Sequence, residues 1–544
     1  MTKPDLTKAA FFKKHPLLLS GGVRRTLWLL VPVIGIGVFF IFALQRAWLC
    51  DDVYISLRTV DNFLYGYGLT WNVAERVQTY THPLWLFLLI LGVAFTHETY
   101  FTTIFISLLV SCLAAWVLVF KVARTRLLGT CGVLVLALSS SFVDYSASGL
   151  ENPLTHLLLA LFAWVYFAWQ TSPKKLFWLS LVASLAVVNR MDTILFYVPA
   201  LVYGLWEYLR QGESGVSRAG KPHKAAGLNA LGLLLLGQLP FFLWECFAIV
   251  YYGFPFANTA YAKLQTGIPA LDLINQGWIY LNDAWQHDPL VIVGIMAGVI
   301  LPLLKKDWRS LPLVLGIMLY LAYMVSIGGD FMRGRFLTAP FFCALILLLR
   351  LDLPRLDWRW SALVLVVIFI VELNTAIPSW QLTPAVEKYP IDLTGIADER
   401  MFYFKGNGLF SGLPWVDLPG FAWRYIGEYW KRSGIRVKDW DSVGMVGYFA
   451  GPQVHIVDRL AITEPLLARL PMKVMPKWRI GHYPREVPLG YLETLESGQN
   501  QIANRRLAEY YDKLALITRG PLWDPARWQA IWKMNTGQYD SLKN

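Results

Sequence analysis

Two adjacent carboxylates, Asp51 and Asp52, directly follow an apolar run of membrane-spanning length, in the stretch CDDVYISLRTVDNFLYGYGLTWN at residues 50–72. Neighbouring positions on a helix differ by about 100°, so the pair does not share a face. One carboxylate can address a cavity while the other ties down the loop, or Asp52 can cap the helix that follows. A carboxylate aimed into a cavity is suited to general-base chemistry. Arg58 lies some two turns further on, and other polar clusters interrupt the later apolar runs. They are Glu151 in SGLENP (148–153), Arg190 and Asp192 in NRMD (189–192), Lys263 closing FPFANTAYAK (254–263), and Asp330, Arg333 and Arg335 in GGDFMRGR (328–335). Ionisable groups at a membrane boundary are costly unless paired or solvated, which makes each a candidate for function. Each also has a plainer reading. Glu151 complements a helix dipole, Arg190 and Asp192 pair locally, and Lys263 snorkels to the interface. Arg333 and Arg335 need an anion; Asp330 cannot satisfy both forks, and phosphate suits them well. Together these residues fit a lipid-linked sugar phosphate. A carboxylate would take a proton from an acceptor hydroxyl, and Arg58, Arg190, Lys263, Arg333 and Arg335 would hold the departing phosphate.

The elements that must position them are membrane helices. Of 544 residues, 56% are apolar, 15% aromatic and only 16% charged, a balance outside the soluble range. The net charge of +12 gathers in short loops between apolar runs, where positive charge sets topology. It forms no basic face interleaved with aromatics, which argues against nucleic acid. The cysteines (Cys50, Cys112, Cys131, Cys246, Cys343) lack metal-ligand spacing and a disulfide framework.

Runs able to cross a bilayer lie at about 27–47, 101–120, 127–142, 151–170, 174–189, 192–209, 228–251, 289–304, 310–327, 335–350 and 360–376. A shorter apolar run occupies 83–95. The first is read as a retained span, not a signal peptide. Basic loops at 121–126, 173–175, 208–224 (Arg210, Arg218, Lys221, Lys224), 305–309 and 350–359 mark the cytoplasmic side. About eleven crossings follow, N-terminus inside and C-terminus outside. Residues 1–377 are then a polytopic α-helical membrane domain, and residues 378–544 an extracytoplasmic α/β domain. In the latter, 442–449 and 454–458 read as strands around the turn AGP, and 419–434 and 462–470 as helices. A transporter would show discontinuous helices in paired halves, and no such pairing is present.

The chain resembles the polytopic GT-C glycosyltransferases, and among them the terminal cell-wall arabinofuranosyltransferases of mycobacteria and corynebacteria and their pilin-decorating relatives. The likeness is carried by residues 51–72, ERVQTYTHPLW, SGLENPL, NTAYAK, GGDFMRGRF and GYFAGPQVHIVDRLAITEPLLARLP. It implies a GT-C-like fold in the bacterial inner (plasma) membrane, with the active site on the periplasmic face. It also implies a polyprenyl-phosphoryl D-arabinofuranose donor and a glycan or protein acceptor. By the same resemblance Asp51 and Asp52 are the catalytic loop carboxylates, and Arg333 and Arg335 the outward basic motif. The C-terminal domain would help to hold the acceptor, with His455, Asp458 and Arg459 as contacts or else as strand-end structural residues. Glu151 and Asp330 are assigned to substrate binding, and His82 receives no role. The chain is less rich in Ala and Arg than typical actinobacterial members, which points the acceptor towards pilin or another glycan. A carboxylate acting only as base inverts the sugar, and one that attacks it retains configuration; the sequence leaves both open. Magnesium or calcium would suit a bridge from Asp51 to the phosphate, but no full ligand set is visible and no metal is assigned.

Overall fold

Apolar runs punctuated by proline and serine fold as helices over most of the chain. A computed structural model describes residues 21–213, 223–264, 266–352, 365–366, 369–370, 378–379, 381, 391–473, 475 and 477–543. Up to residue 350 the α-helices are α1 (Gly21–Gln45), α2 (Asp51–Leu64), α3 (Pro83–Thr96), α4 (Tyr100–Val117), α5 (Arg126–Leu138), α6 (Ser140–Tyr145), α7 (Asn152–Ala168) and α8 (Pro173–Asn189). They continue with α9 (Ile194–Glu213), α10 (His223–Gly237), α11 (Leu239–Tyr251), α12 (Asn258–Leu264), α13 (Ala270–His287), α14 (Pro289–Leu304), α15 (Leu311–Ser326) and α16 (Thr338–Arg350). Helices α3, α7, α8, α11, α14 and α15 carry proline in the first turn, where its missing N–H is no loss.

Among the described residues one helix, Tyr100–Val122, is long and apolar enough to cross a membrane alone. Two bent pairs pass together: Gly227–Gly237 with Leu239–Tyr251, bent by 51°, and α13 with α14, bent by 110°. Shorter apolar helices are Leu30–Gln45, α3, α5, α7 and α15. Leu91, Phe95, Phe105, Val202 and Leu243 are exposed on the bundle surface, a distribution that suits lipid.

Several expected boundaries move. The run at 127–142 is broken at Ser139, whose hydroxyl accepts from the Phe142 amide and so caps a separate helix, α6. The run at 228–251 bends at Gln238, and 289–304 is preceded by the amphipathic α13. The expected span at 360–376 lies almost wholly outside the described residues, as do Arg218 and Lys221.

In the C-terminal residues β1 (Val437–Trp440) and β2 (His455–Asp458) pair in parallel, with Val437 opposite His455. Residues 419–434 hold the expected amphipathic helix, at Ala422–Arg432. Residues 442–449, expected as a strand, form instead the helix Val443–Ala450. A short unbroken apolar run is ambiguous by period, and parallel strands need a crossover element to join them. The helix expected at 462–470 is reduced to one 3-10 turn, Leu467–Arg469.

The Val443–Ala450 helix packs directly on α2, and Ile55 and Trp71 share one buried cluster with Trp430, Val443 and Val446. Met445, Tyr403 and Tyr483 join the main core of the bundle. The C-terminal residues are therefore built onto the loop that carries the two carboxylates. Gly444 makes this approach feasible, because a Cβ there would strike the Asp51 carbonyl. Gly444→Ala is expected to cost about 1–3 kcal/mol, read as a lower unfolding temperature in detergent. An unchanged midpoint would mean that the two elements are not in contact.

Candidate functional site

Glu151 precedes α7 with none of its surface exposed. It accepts from Arg190 and from Arg335, each at 2.9 Å. His82 Nδ1 lies 3.5 Å away, and His82 Nε2 contacts the Ser56 hydroxyl of α2 at 2.8 Å. Burial pushes the Glu151 carboxyl up, but Arg335, His82 and Arg190 hold it far below the usual range. Arg190 also binds Asp192 at 2.8 Å and lies over Phe336. Asp330 is 3.7 Å from Arg335.

Gly334, at φ +70°, sends its neighbours apart. A Cβ there would strike Ser141, so only glycine fits both the turn and the space. Arg335 goes to Glu151, whereas Arg333 goes to Asp283 at 3.0 Å, with Asp392 and Asp398 near 4 Å. Arg333 thus has its own anions.

The two loop carboxylates diverge as their spacing demands. Asp51 accepts from the amides of Gly444 and Met445 at 3.0 and 2.7 Å. Burial outweighs those bonds and raises its pKa to about 7. Asp52 turns the other way, and among the described residues nothing hydrogen-bonds its carboxylate. Burial raises its pKa, opposed by the nearby charges of Lys263 and Arg335. Lys263 likewise has no carboxylate within ion-pair distance among the described residues, and its ammonium lies 5.7 Å from the Phe331 ring. An unpaired carboxylate therefore feels the charge of an unpaired ammonium, with Arg335, Asp330 and Glu151 also acting on it. Buried Glu399 borders the same charges; burial and then Asp52 push its pKa well up.

Other expected residues lie elsewhere. Arg58 is withdrawn from any phosphate: it is 2% exposed and donates to the carbonyls of Trp71, Gly447 and Val454. Its periodicity placed it correctly on α2 but could not show that the loop backbone would consume its donors. Asp458 accepts from the amides of Leu460 and Thr463, and Arg459 pairs with Asp441 at 2.7 Å. Both close the end of β2 and do not reach Asp52. His455 faces Glu75 and Asn72 instead.

The sequence reading missed Asp283 and Glu399, which no local motif marks, and left His82 without the link it makes between α2 and Glu151.

The family described as dolichyl-phosphate-mannose-protein mannosyltransferase matches residues 81–235. A terminal beta-(1->2)-arabinofuranosyltransferase of Mycobacterium tuberculosis is 25% identical, aligned over 85% of this chain and 84% of the relative. A Corynebacterium glutamicum protein of the same name is 26% identical over 68% of this chain and 57% of its own. The chain is a membrane glycosyltransferase, similar in sequence to these arabinofuranosyltransferases. Among solved structures, the archaeal oligosaccharyltransferase AglB of Archaeoglobus fulgidus, in complex with an inhibitory peptide and a dolichol-phosphate, covers 80% of the transferase. Its TM-score is 0.44 at 11% identity, and 64% of the archaeal chain is matched.

Glu151→Gln leaves two arginines short of one buried charge, and is expected to cost the transferase roughly 3–5 kcal/mol. A double-mutant cycle with Arg335→Gln in thermal unfolding should be strongly non-additive. Additive losses would dismiss the pairing.

Proposed function

We propose that the transferase moves D-arabinofuranose from a polyprenyl-phosphate donor to a hydroxyl of a periplasmic glycan. The observation that carries this reading is the unpaired Asp52 carboxylate facing unpaired Lys263 and the Arg335 fork. The relatives' names supply the sugar. The acceptor hydroxyl gives up its proton, a new bond forms to the anomeric carbon, and the bond from that carbon to the phosphate oxygen breaks. Polyprenyl phosphate leaves with its charge held by Lys263 and Arg335. Asp52 is the reacting carboxylate, either as base or as attacking group, and the two roles differ in anomeric outcome. Asp51 holds the loop in place. A magnesium or calcium ion at the phosphate would draw on Asp52 and on Asp330, whose Oδ2 is buried without a hydrogen bond, since both Asp51 oxygens are engaged.

The proposed setting is a multi-pass inner-membrane enzyme of about eleven crossings, N-terminus inside, with residues 378–544 outside. Two ends of α4 support one polar side. At its start Thr99 and Tyr100 contact Tyr448 and Asn407, beside the site. Beyond its far end Arg124 pairs with Asp352, among the basic loops.

The test is transfer by purified protein from synthetic polyprenyl-phosphoryl D-arabinofuranose to a short arabinofuranoside, read by mass. Asp52→Asn is expected to lose about 10²–10⁴-fold in rate with no fall in unfolding temperature. Asp51→Asn should lose about 1–3 kcal/mol of stability as well. Full turnover in Asp52→Asn would remove the centre of the proposal. NMR of the linkage then assigns the role: inversion fits a base, retention an attacking carboxylate.

Asp52 must be ionised in either role, and its raised pKa moves that requirement upward. Turnover should therefore climb with pH through values above the ordinary carboxylate range. A rate profile flat from the ordinary carboxylate range upward would contradict this.

A further inference from the structure

Away from Asp52, three potential ligands from separate segments converge where the first loop meets β2. Glu75 lies in the loop after α2, His455 opens β2, and Glu464 follows β2. One ligand atom of each lies within 4.8 Å of the others. Glu75 is 3% exposed and Glu464 not at all.

Each carboxylate has one oxygen satisfied and one orphaned. Glu75 Oε2 accepts from Arg519 at 3.2 Å, while Oε1 has no hydrogen-bond partner. Glu464 Oε1 accepts from the Tyr491 hydroxyl at 2.5 Å and the Leu466 amide at 3.3 Å, while Oε2 has none. Two carboxylates thus share one arginine in a buried space, and unpartnered buried oxygens of this kind are rare and costly.

The imidazole completes the set. Asn72 exchanges two hydrogen bonds with the Ile456 backbone, both at 3.1 Å, which fixes its amide orientation. Its nitrogen, 3.3 Å from His455 Nε2, can only donate. That leaves Nε2 as the lone-pair nitrogen, 3.7 Å from the orphaned Glu75 Oε1; a metal taking that lone pair displaces the Asn72 N–H from it, while the amide keeps both of its bonds to Ile456.

We propose that Glu75, His455 and Glu464 bind a divalent transition metal, zinc by this ligand set, which ties the first loop to the β2 segment. One imidazole and two carboxylates suit zinc, whereas magnesium and calcium favour all-oxygen shells. Bonds of about 2.1 Å place tetrahedral ligand atoms roughly 3.4 Å apart, so the side chains need only draw together slightly. A water can fill the fourth position. The metal neutralises the charge that Arg519 leaves uncompensated, independently of which sugar is transferred.

The full-length protein, purified in detergent and stripped with EDTA, would be titrated with ZnCl₂ and, separately, MgCl₂. Bound metal would be read by mass spectrometry after gel filtration, and unfolding temperature followed in parallel. One equivalent of zinc and a saturable rise in unfolding temperature are expected, with no such response to magnesium. Glu464→Gln and His455→Gln should each weaken zinc by more than the roughly 10–100-fold typical of outer-shell changes. X-ray absorption of the zinc-loaded wild type needs no variant to fold, and should show nitrogen and oxygen ligands without sulfur. Absence of stoichiometric zinc, undiminished binding in both variants, or sulfur ligation at one of the five cysteines would overturn the site.

Discussion

A carboxylate with no exposed surface needs close donors to replace its lost water, and Glu151 draws two arginines and an imidazole from three separate stretches of chain. Arg190 arrives from the junction of α8 and α9, Arg335 from the turn before α16, and His82 from the start of α3. Through Ser56, His82 reaches α2. Removing a charge from water costs several kcal/mol, and only close, hydrogen-bonded partners recover it. The apolar helices between these points can pack in many registers, but few bring all four groups together. Glu151 thereby fixes where α2 lies, and with it the place of Asp52.

The same constraint explains the asymmetry between the adjacent aspartates. Asp51 is held by two backbone amides at the start of the Val443–Ala450 helix, whose positive N-terminal end favours an anion. Its neighbour, about 100° away around the helix, meets no donor. Structural duty on one side therefore leaves the other carboxylate free. Gly334 repeats this division for cations, giving Arg333 to Asp283 and Arg335 to the shared space. In both pairs adjacent residues of one type acquire opposite fates through backbone geometry alone.

Much of this was legible in the chain. Apolar runs marked the starts of α3, α4, α5, α7, α8, α9, α14 and α15 to within two residues, and the costs of ionisable groups near a membrane flagged Asp51, Asp52, Glu151, Arg190, Lys263, Asp330, Arg333 and Arg335. The amphipathic period of residues 419–434 gave a helix where one stands. What could not be read was pairing across distance. Arg58 has the composition of a phosphate ligand, yet its donors go to carbonyls nearly 400 positions away. Asp283 and Glu399 lie in unremarkable stretches and matter only through their neighbours in space. Residues 442–449 misled because an unbroken apolar run carries no period; the parallel pairing of β1 and β2 decides the matter, since a crossover must fill that gap.

A free charge inside a protein is a liability that folding ordinarily removes, and this chain has arginines and carboxylates enough to have removed it. Arg46 and Asp144 pair at 2.6 Å, and Arg459 and Asp441 at 2.7 Å. Against that background, Asp52 and Lys263 stand out because neither has an ion-pair partner among the described residues. A bound sugar phosphate would complete both, its anion meeting the lysine while an acceptor hydroxyl meets the carboxylate. Desolvation then strengthens each contact, and no side chain need abandon an existing partner before reaction. Preorganisation of this kind is where electrostatic catalysis gains most. The stability forgone at Asp52 and Lys263 is offset by the close pairing of Glu151 with Arg190 and Arg335 beside them.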